Sequence, residues 1–131
     1  MRSYLPDFPV YSPETLRDAL AALASGAGYM RLARGPARLV YLEAGTLEPT
    51  PLLNLYALGD VPRQPVLEAA GLVLGPLATY RHARALPEVA AAYPLLATAA
   101  REVSVLAVQS RATWVGNVVN ASPAADGVPA L

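Results

Sequence analysis

The 131 residues include no cysteine. Disulfides, thiolate metal sites and any iron–sulfur cluster held by this chain alone are therefore excluded. A single histidine, His82, is present, which leaves too few imidazoles for a self-contained zinc site. Charge is sparse: 15% of residues are charged, with ten basic and ten acidic groups that cancel. No basic field exists to attract nucleic acid. Met1-Arg2-Ser3-Tyr4-Leu5-Pro6-Asp7 lacks the apolar core of a signal peptide. No window approaches the length of an uncharged membrane span. The expectation is a cytoplasmic protein.

What is abundant is apolar surface, at 54% of residues. This is enough to bury a core, as one domain or as two small lobes. So little charge also fits a chain whose exposed surface is covered by a partner. A compact monomer rich in Ala and Leu is the other reading.

Along the chain, Tyr4–Tyr11 reads as extended, because prolines set or follow its residues. Ser12-Pro13-Glu14 reads as a helix start, with a cap, Pro at the first position and a carboxylate in the first turn. Leu16, Ala19, Leu20 and Leu23 follow with helical spacing and predict a buried face. Gly26 ends that helix. Tyr29–Ala33 is a short strand, Arg34-Gly35-Pro36 a turn, and Pro36 opens a helix through Glu43 that Gly45 terminates. Leu52–Leu55 is a second buried strand. The stretch from Leu58 to Pro65, with Gly59 and two prolines, is the expected boundary. It separates an N-terminal α/β lobe (1–58) from a second α+β lobe (66–131). Gly71–Gly75 reads as a strand. Thr79 caps a short helix, and Pro87 and Pro94 each begin another, the last reaching about Glu102. Val103–Val108 is strand or loop. Alternating strand and helix in the first half suggests βαβ-like pairing, and the second half looks α+β.

Thr113-Trp114-Val115-Gly116-Asn117-Val118-Val119-Asn120-Ala121-Ser122-Pro123-Ala124-Ala125-Asp126 is the most informative stretch. It reads as a tight Gly-Asn turn running into small residues and a carboxylate, and suits close approach to a large anionic ligand. Asn117–Asp126 resembles the G-N-x-x-N-A-S-P-x-x-D signature of the flavin subunit of molybdenum hydroxylases, the family of xanthine dehydrogenase and aerobic carbon monoxide dehydrogenase. The likeness extends over nearly the whole chain. Leu5-Pro6-Asp7-Phe8 and Ser12–Leu16 resemble the family's opening. Gly45-Thr46-Leu47, Pro49 and Leu53-Asn54-Leu55 resemble its G-x-x-x-P…D-L stretch. Gly71–Thr79 resembles I-G-A-x-T-T, and Tyr93-Pro94-Leu95-Leu96 resembles y-P-L-L.

The resemblance implies an α+β, two-lobed FAD-binding domain of the molybdopterin dehydrogenase (PCMH-like) type, with its C-terminal part missing. It implies FAD as cofactor, held through Ala33, Arg34, Gly35, Thr113, Gly116, Asn117, Ser122 and Asp126. Both loops would contact one pyrophosphate. Implied partners are a molybdopterin-binding large subunit and a 2Fe-2S small subunit. Electrons would pass from the molybdenum centre through iron–sulfur clusters to FAD and on to an external acceptor.

Several residues depart from the pattern. The family's first flavin loop is A-G-G-T-D-L, and the matching residues are Ala33, Arg34, Gly35, Pro36, Ala37 and Arg38. Pro36 offers neither the hydroxyl nor the N–H of threonine. Ala37 lacks the carboxylate, and Arg34 replaces a glycine. The second loop, G-T-I-G-G-N, is Ala112–Asn117, with Val115 in a glycine position where positive φ would be a steric outlier. The family also carries a further lobe beyond the position of Leu131. These departures fit a truncated or degenerate relative, or a fragment; the alternative to an FAD carrier is a relative in which FAD is lost and the fold serves as a scaffold or interaction unit. Trp114 is expected in the core or at an interface, with flavin stacking as the alternative. His82 is expected at the surface, and no residue stands out as catalytic acid, base or nucleophile.

Overall fold

The computed structural model describes residues 7–46, 48 and 50–131, except for the side chains of residues 36, 37 and 39. Tyr4, Leu5, Pro6, Leu47 and Pro49, which carry part of the sequence pattern, lie outside the described residues. The chain forms two compact units, Met1–Asp60 and Val61–Leu131.

The first unit alternates strand and helix: β1 (Val10–Tyr11), α1 (Leu16–Ala24), β2 (Met30–Leu32), α2 (Pro36–Glu43) and β3 (Leu52–Asn54). The strands make a parallel sheet in the order β1-β3-β2. A parallel sheet needs crossover connections, which α1 and α2 supply. The central strand β3 is therefore paired on both sides and is the most buried, with Leu52 and Leu53 both in the core.

Helix α1 starts later than the Ser12-Pro13-Glu14 pattern predicts. Its N-cap is Thr15, whose hydroxyl accepts from the Asp18 N–H. Ser12 instead accepts a hydrogen bond from the Asn54 side chain at 3.0 Å. The Leu16 N–H donates to both carboxylate oxygens of Asp60, each at 2.9 Å, so a residue from the end of the unit satisfies the first turn. The predicted buried face of α1 is also corrected: only Ala19 is buried, while Leu20 is 56% exposed and Leu16 is exposed as well. Three strands of two or three residues cover little of a nine-residue helix. At α2, Gly35 caps the start with left-handed φ +65 and Pro36 occupies the first turn, where a missing N–H costs nothing.

The second unit opens with an antiparallel hairpin, β4 (Val66–Glu68) and β5 (Gly71–Val73). The sequence reading anticipated β5 but not β4. Short helices follow: α3 (Tyr80–Arg84), α4 (Pro87–Ala92), α5 (Pro94–Glu102), α6 (Leu106–Gln109) and α7 (Trp114–Asn120). Prolines begin α4 and α5 as expected. The Val103–Val108 stretch, expected as strand or loop, instead leads into α6. The core is Tyr80, Ala83, Val89, Leu96, Ala100, Val103 and Trp114. A polar staple supports it: Arg84 donates to the side chain of buried Gln109, which donates to the carbonyls of Arg101 and Ser104.

Candidate functional site

In the first unit, Ala33, Arg34 and Gly35 connect the carboxyl end of β2 to α2. The Arg34 guanidinium lies 4.2 Å over the Tyr56 ring and donates to the Tyr56 hydroxyl. Tyr56 sits in a 3₁₀ turn, Leu55–Ala57, that is capped by the Asn54 side chain. Asn54 in turn donates to Ser12, just beyond β1. Ser12, Asn54 and the Arg34 loop thus all lie at the carboxyl ends of the parallel strands, where ligands of such sheets bind. The residue that replaces a glycine in the family pattern is held there by an aromatic ring.

In the second unit, Thr113, Gly116 and Asn117 do not form the tight turn read from the sequence. They belong to the start of α7. Thr113 is the N-cap and its hydroxyl accepts the Gly116 N–H at 3.0 Å. A Cβ at position 116 would stand 2.6 Å from that oxygen, so the glycine makes room for the cap. The Asn117 N–H is also engaged, donating to the Thr113 carbonyl. Val115 lies within the helix and is not among the positive-φ residues. The strain expected of a β-branched residue there does not arise, because the segment is helical.

The starts of α3 and α7 are joined. Thr79 and Thr113 form an antiparallel bridge; the Trp114 N–H donates to the Ala78 carbonyl at 3.1 Å and the Tyr80 N–H to that of Ala112 at 3.3 Å. Each threonine caps its own helix. At α3 the cap is reciprocal: Thr79 accepts the His82 N–H while the His82 ring accepts the Thr79 N–H at 3.2 Å. His82 is thus a capping residue with its Nδ1 engaged.

Past α7 the chain turns at Ala121, which has left-handed φ. Ser122 accepts the Ala124 N–H, so its hydroxyl shapes the turn. Asp126 is exposed and precedes buried Gly127. A Cβ on Gly127 would lie 2.5 Å from the Tyr80 hydroxyl and 3.0 Å from the Asn117 side-chain oxygen. Tyr80 and Trp114 are both fully enclosed, with rings 4.3 Å apart. The Tyr80 hydroxyl is pushed up to about 12, chiefly by burial and secondarily by the Asp126 carboxylate. Three buried polar atoms have no hydrogen-bond partner among the described residues: the Tyr80 hydroxyl, Trp114 Nε1 and Asn117 Oδ1. Such groups ordinarily find a partner in the protein or in what it binds. Trp114 is a core residue, as one sequence reading had it, and Tyr80 and Gly127 were not singled out at all.

A protein-family model described as the FAD binding domain in molybdopterin dehydrogenase matches residues 6–131. The chain belongs to this family. FAD is the family's cofactor, and the orphaned polar atoms around Asn117 fit a polar ligand. Among solved structures, the chain is similar to carbon monoxide dehydrogenase from Hydrogenophaga pseudoflava, in a form lacking the Mo-pyranopterin moiety of the molybdenum cofactor. That match has 26% identity and a TM-score of 0.83, covering 92% of this chain and 42% of that one. It is similar in fold to quinoline 2-oxidoreductase from Pseudomonas putida 86, at 24% identity and a TM-score of 0.80, covering 91% and 41%. It is likewise similar in fold to carbon monoxide dehydrogenase from Oligotropha carboxidovorans, at 22% identity and a TM-score of 0.85, covering 95% and 43%. The chain therefore spans less than half the length of the solved chains it matches. No match was found among curated protein sequences. The α+β fold of the FAD-binding domain is thus the one the sequence resemblance implied. Among the described residues, no helix is long and apolar enough to cross a membrane.

Proposed function

We propose that this chain carries FAD within a molybdenum-containing hydroxylase or dehydrogenase, taking electrons from a 2Fe-2S partner and passing them to an external acceptor. The family match over residues 6–131 is the observation that carries this reading. When bound, the isoalloxazine supplies the redox chemistry and the protein positions it. The residues proposed to hold the cofactor are Ala33, Arg34 and Gly35 in the first unit, with Thr113, Gly116, Asn117, Ser122 and Asp126 in the second. Arg34 would contribute charge, and Asn117 and Asp126 side-chain oxygens for hydroxyl groups. Thr113 and Ser122 serve mainly to shape the backbone, since their hydroxyls already accept bonds from Gly116 and Ala124. By resemblance, the partners would be a molybdopterin-binding large subunit and a 2Fe-2S small subunit in the cytoplasm.

A second reading, a scaffold or interaction subunit that has given up flavin, is favoured by Arg34, Pro36 and Ala37 in the first loop. It also draws support from the Gly116 and Asn117 N–H groups, which are engaged within α7 and its cap. Fluorescence titration of FAD against the wild type and Asn117→Ala separates the two. Saturable binding that weakens in the variant is expected. A folded wild type that takes no FAD would favour the scaffold.

A further inference from the structure

The Tyr80 hydroxyl and Asn117 Oδ1 face one point, the place a Gly127 side chain would fill. Their separation cannot exceed the sum of their two distances to that point, so one oxygen-sized group can bond to both. Gly127 stands over that point. The segment carrying it rests its 3₁₀ turn, Val128–Ala130, against α5, and the backbone hydrogen bonds of its neighbourhood are local, from Ala125 to Ser122, Ala130 to Gly127 and Leu131 to Val128. Among the described residues, none of these bonds anchors Asp126–Leu131 to a helix of the unit. A segment held by packing and local bonds alone opens at lower cost than the helices it covers.

We propose that Tyr80 and Asn117 form a slot for one sugar or polyol hydroxyl of the flavin nucleotide, closed by Gly127 and opened when Asp126–Leu131 shifts. The donor and acceptor pattern selects this chemistry. Tyr80 is a neutral phenol across the physiological range and donates. Asn117 Oδ1 only accepts. A hydroxyl both accepts and donates, so it satisfies the pair; an ionised phosphate oxygen has no proton for Asn117. Filling the slot also relieves two buried polar atoms that otherwise go unpaired.

The inference rests on the FAD reading, and the test keeps the two apart. FAD, FMN and ADP are titrated by calorimetry against the wild type and Tyr80→Phe, which keeps the ring packed on Trp114 and removes only the hydroxyl. The expected result is about three- to tenfold weaker FAD binding by Tyr80→Phe, with thermal stability equal or higher. The same loss with FMN assigns the hydroxyl to the ribityl chain, and the same loss with ADP assigns it to the adenosine ribose. Equal affinities of wild type and variant for FAD overturn the slot and leave the FAD reading standing. A wild type that binds none of the three overturns both. Amide exchange on the wild type gives a check that no variant can spoil. Residues 126–131 should exchange faster with FAD bound, and unchanged or slower exchange there overturns the opening of the segment.

Discussion

Gly127 has a backbone that any residue could adopt, with φ −81. What excludes a side chain is the pair of oxygens beside it. Gly127→Ala would place a methyl within 2.5 Å of the Tyr80 hydroxyl, whose ring is locked against Trp114. The expected cost is about 1–3 kcal/mol of overpacking, read as a lower urea midpoint. A neutral result would mean that the last residues shift without penalty. Tyr80 itself gives a pH signature. Its folded pKa of about 12 lies above the ordinary 10, so the native state holds its proton more tightly than the unfolded chain does. The associated stability is intact below about pH 10 and is lost as pH rises towards 12, by about 1–3 kcal/mol at most. Tyr80→Phe should remove this alkaline slope, and absorbance titration should show one tyrosine ionising near 12 that is missing from the variant. A difference between the two proteins that falls at the ordinary 10 instead would contradict the burial.

Helix starts organise the second unit. Thr79 and Thr113 are buried, cap adjacent helices and pair with each other. Thr113→Ala should cost about 1–2 kcal/mol in thermal or denaturant unfolding, with Thr113→Ser recovering most of it through its own hydroxyl. Equal losses in both variants would assign the effect to the methyl group instead. Residue patterns made many of these elements legible: Thr79, Pro87 and Pro94 announce α3, α4 and α5, and Pro36 with Gly45 brackets α2. Two elements escaped for physical reasons. The Gly116-Asn117 pair reads locally as a turn, yet the buried Thr113 cap and the bridge to Thr79 commit it to α7. The Leu16–Leu23 stripe reads as a core face, but a helix buries only what neighbouring elements cover. Leu20→Ala should therefore change stability by less than about 0.5 kcal/mol. Leu53→Ala, in the fully buried centre of β3, should cost about 2–5 kcal/mol. Comparable losses in chemical denaturation would restore the face predicted from sequence.

At the scale of the whole chain, the family likeness runs over residues 6–131 while several groups expected to hold a pyrophosphate are altered or already engaged. Pro36 gives the first turn of α2 no N–H at its opening position, and Ala37 has no carboxylate. The Gly116 and Asn117 N–H groups bond to Thr113. Affinity for a nucleotide comes from preorganised donors and from burial, after the cost of immobilising the ligand is met. With fewer donors in place, FAD should bind the isolated chain no more tightly than about micromolar, near −8 kcal/mol. Glycine at position 115 should not repair this. Val115 already has helical dihedrals, so Val115→Gly relieves no strain and costs α7 roughly 0.5 kcal/mol. The expected outcome is protein that purifies with little flavin colour, binds added FAD reversibly, and shows the same dissociation constant for wild type and Val115→Gly within about twofold. Stoichiometric FAD surviving purification would show that the remaining groups suffice. A large gain from Val115→Gly would show that the bound state requires a backbone at residue 115 other than the helix described here.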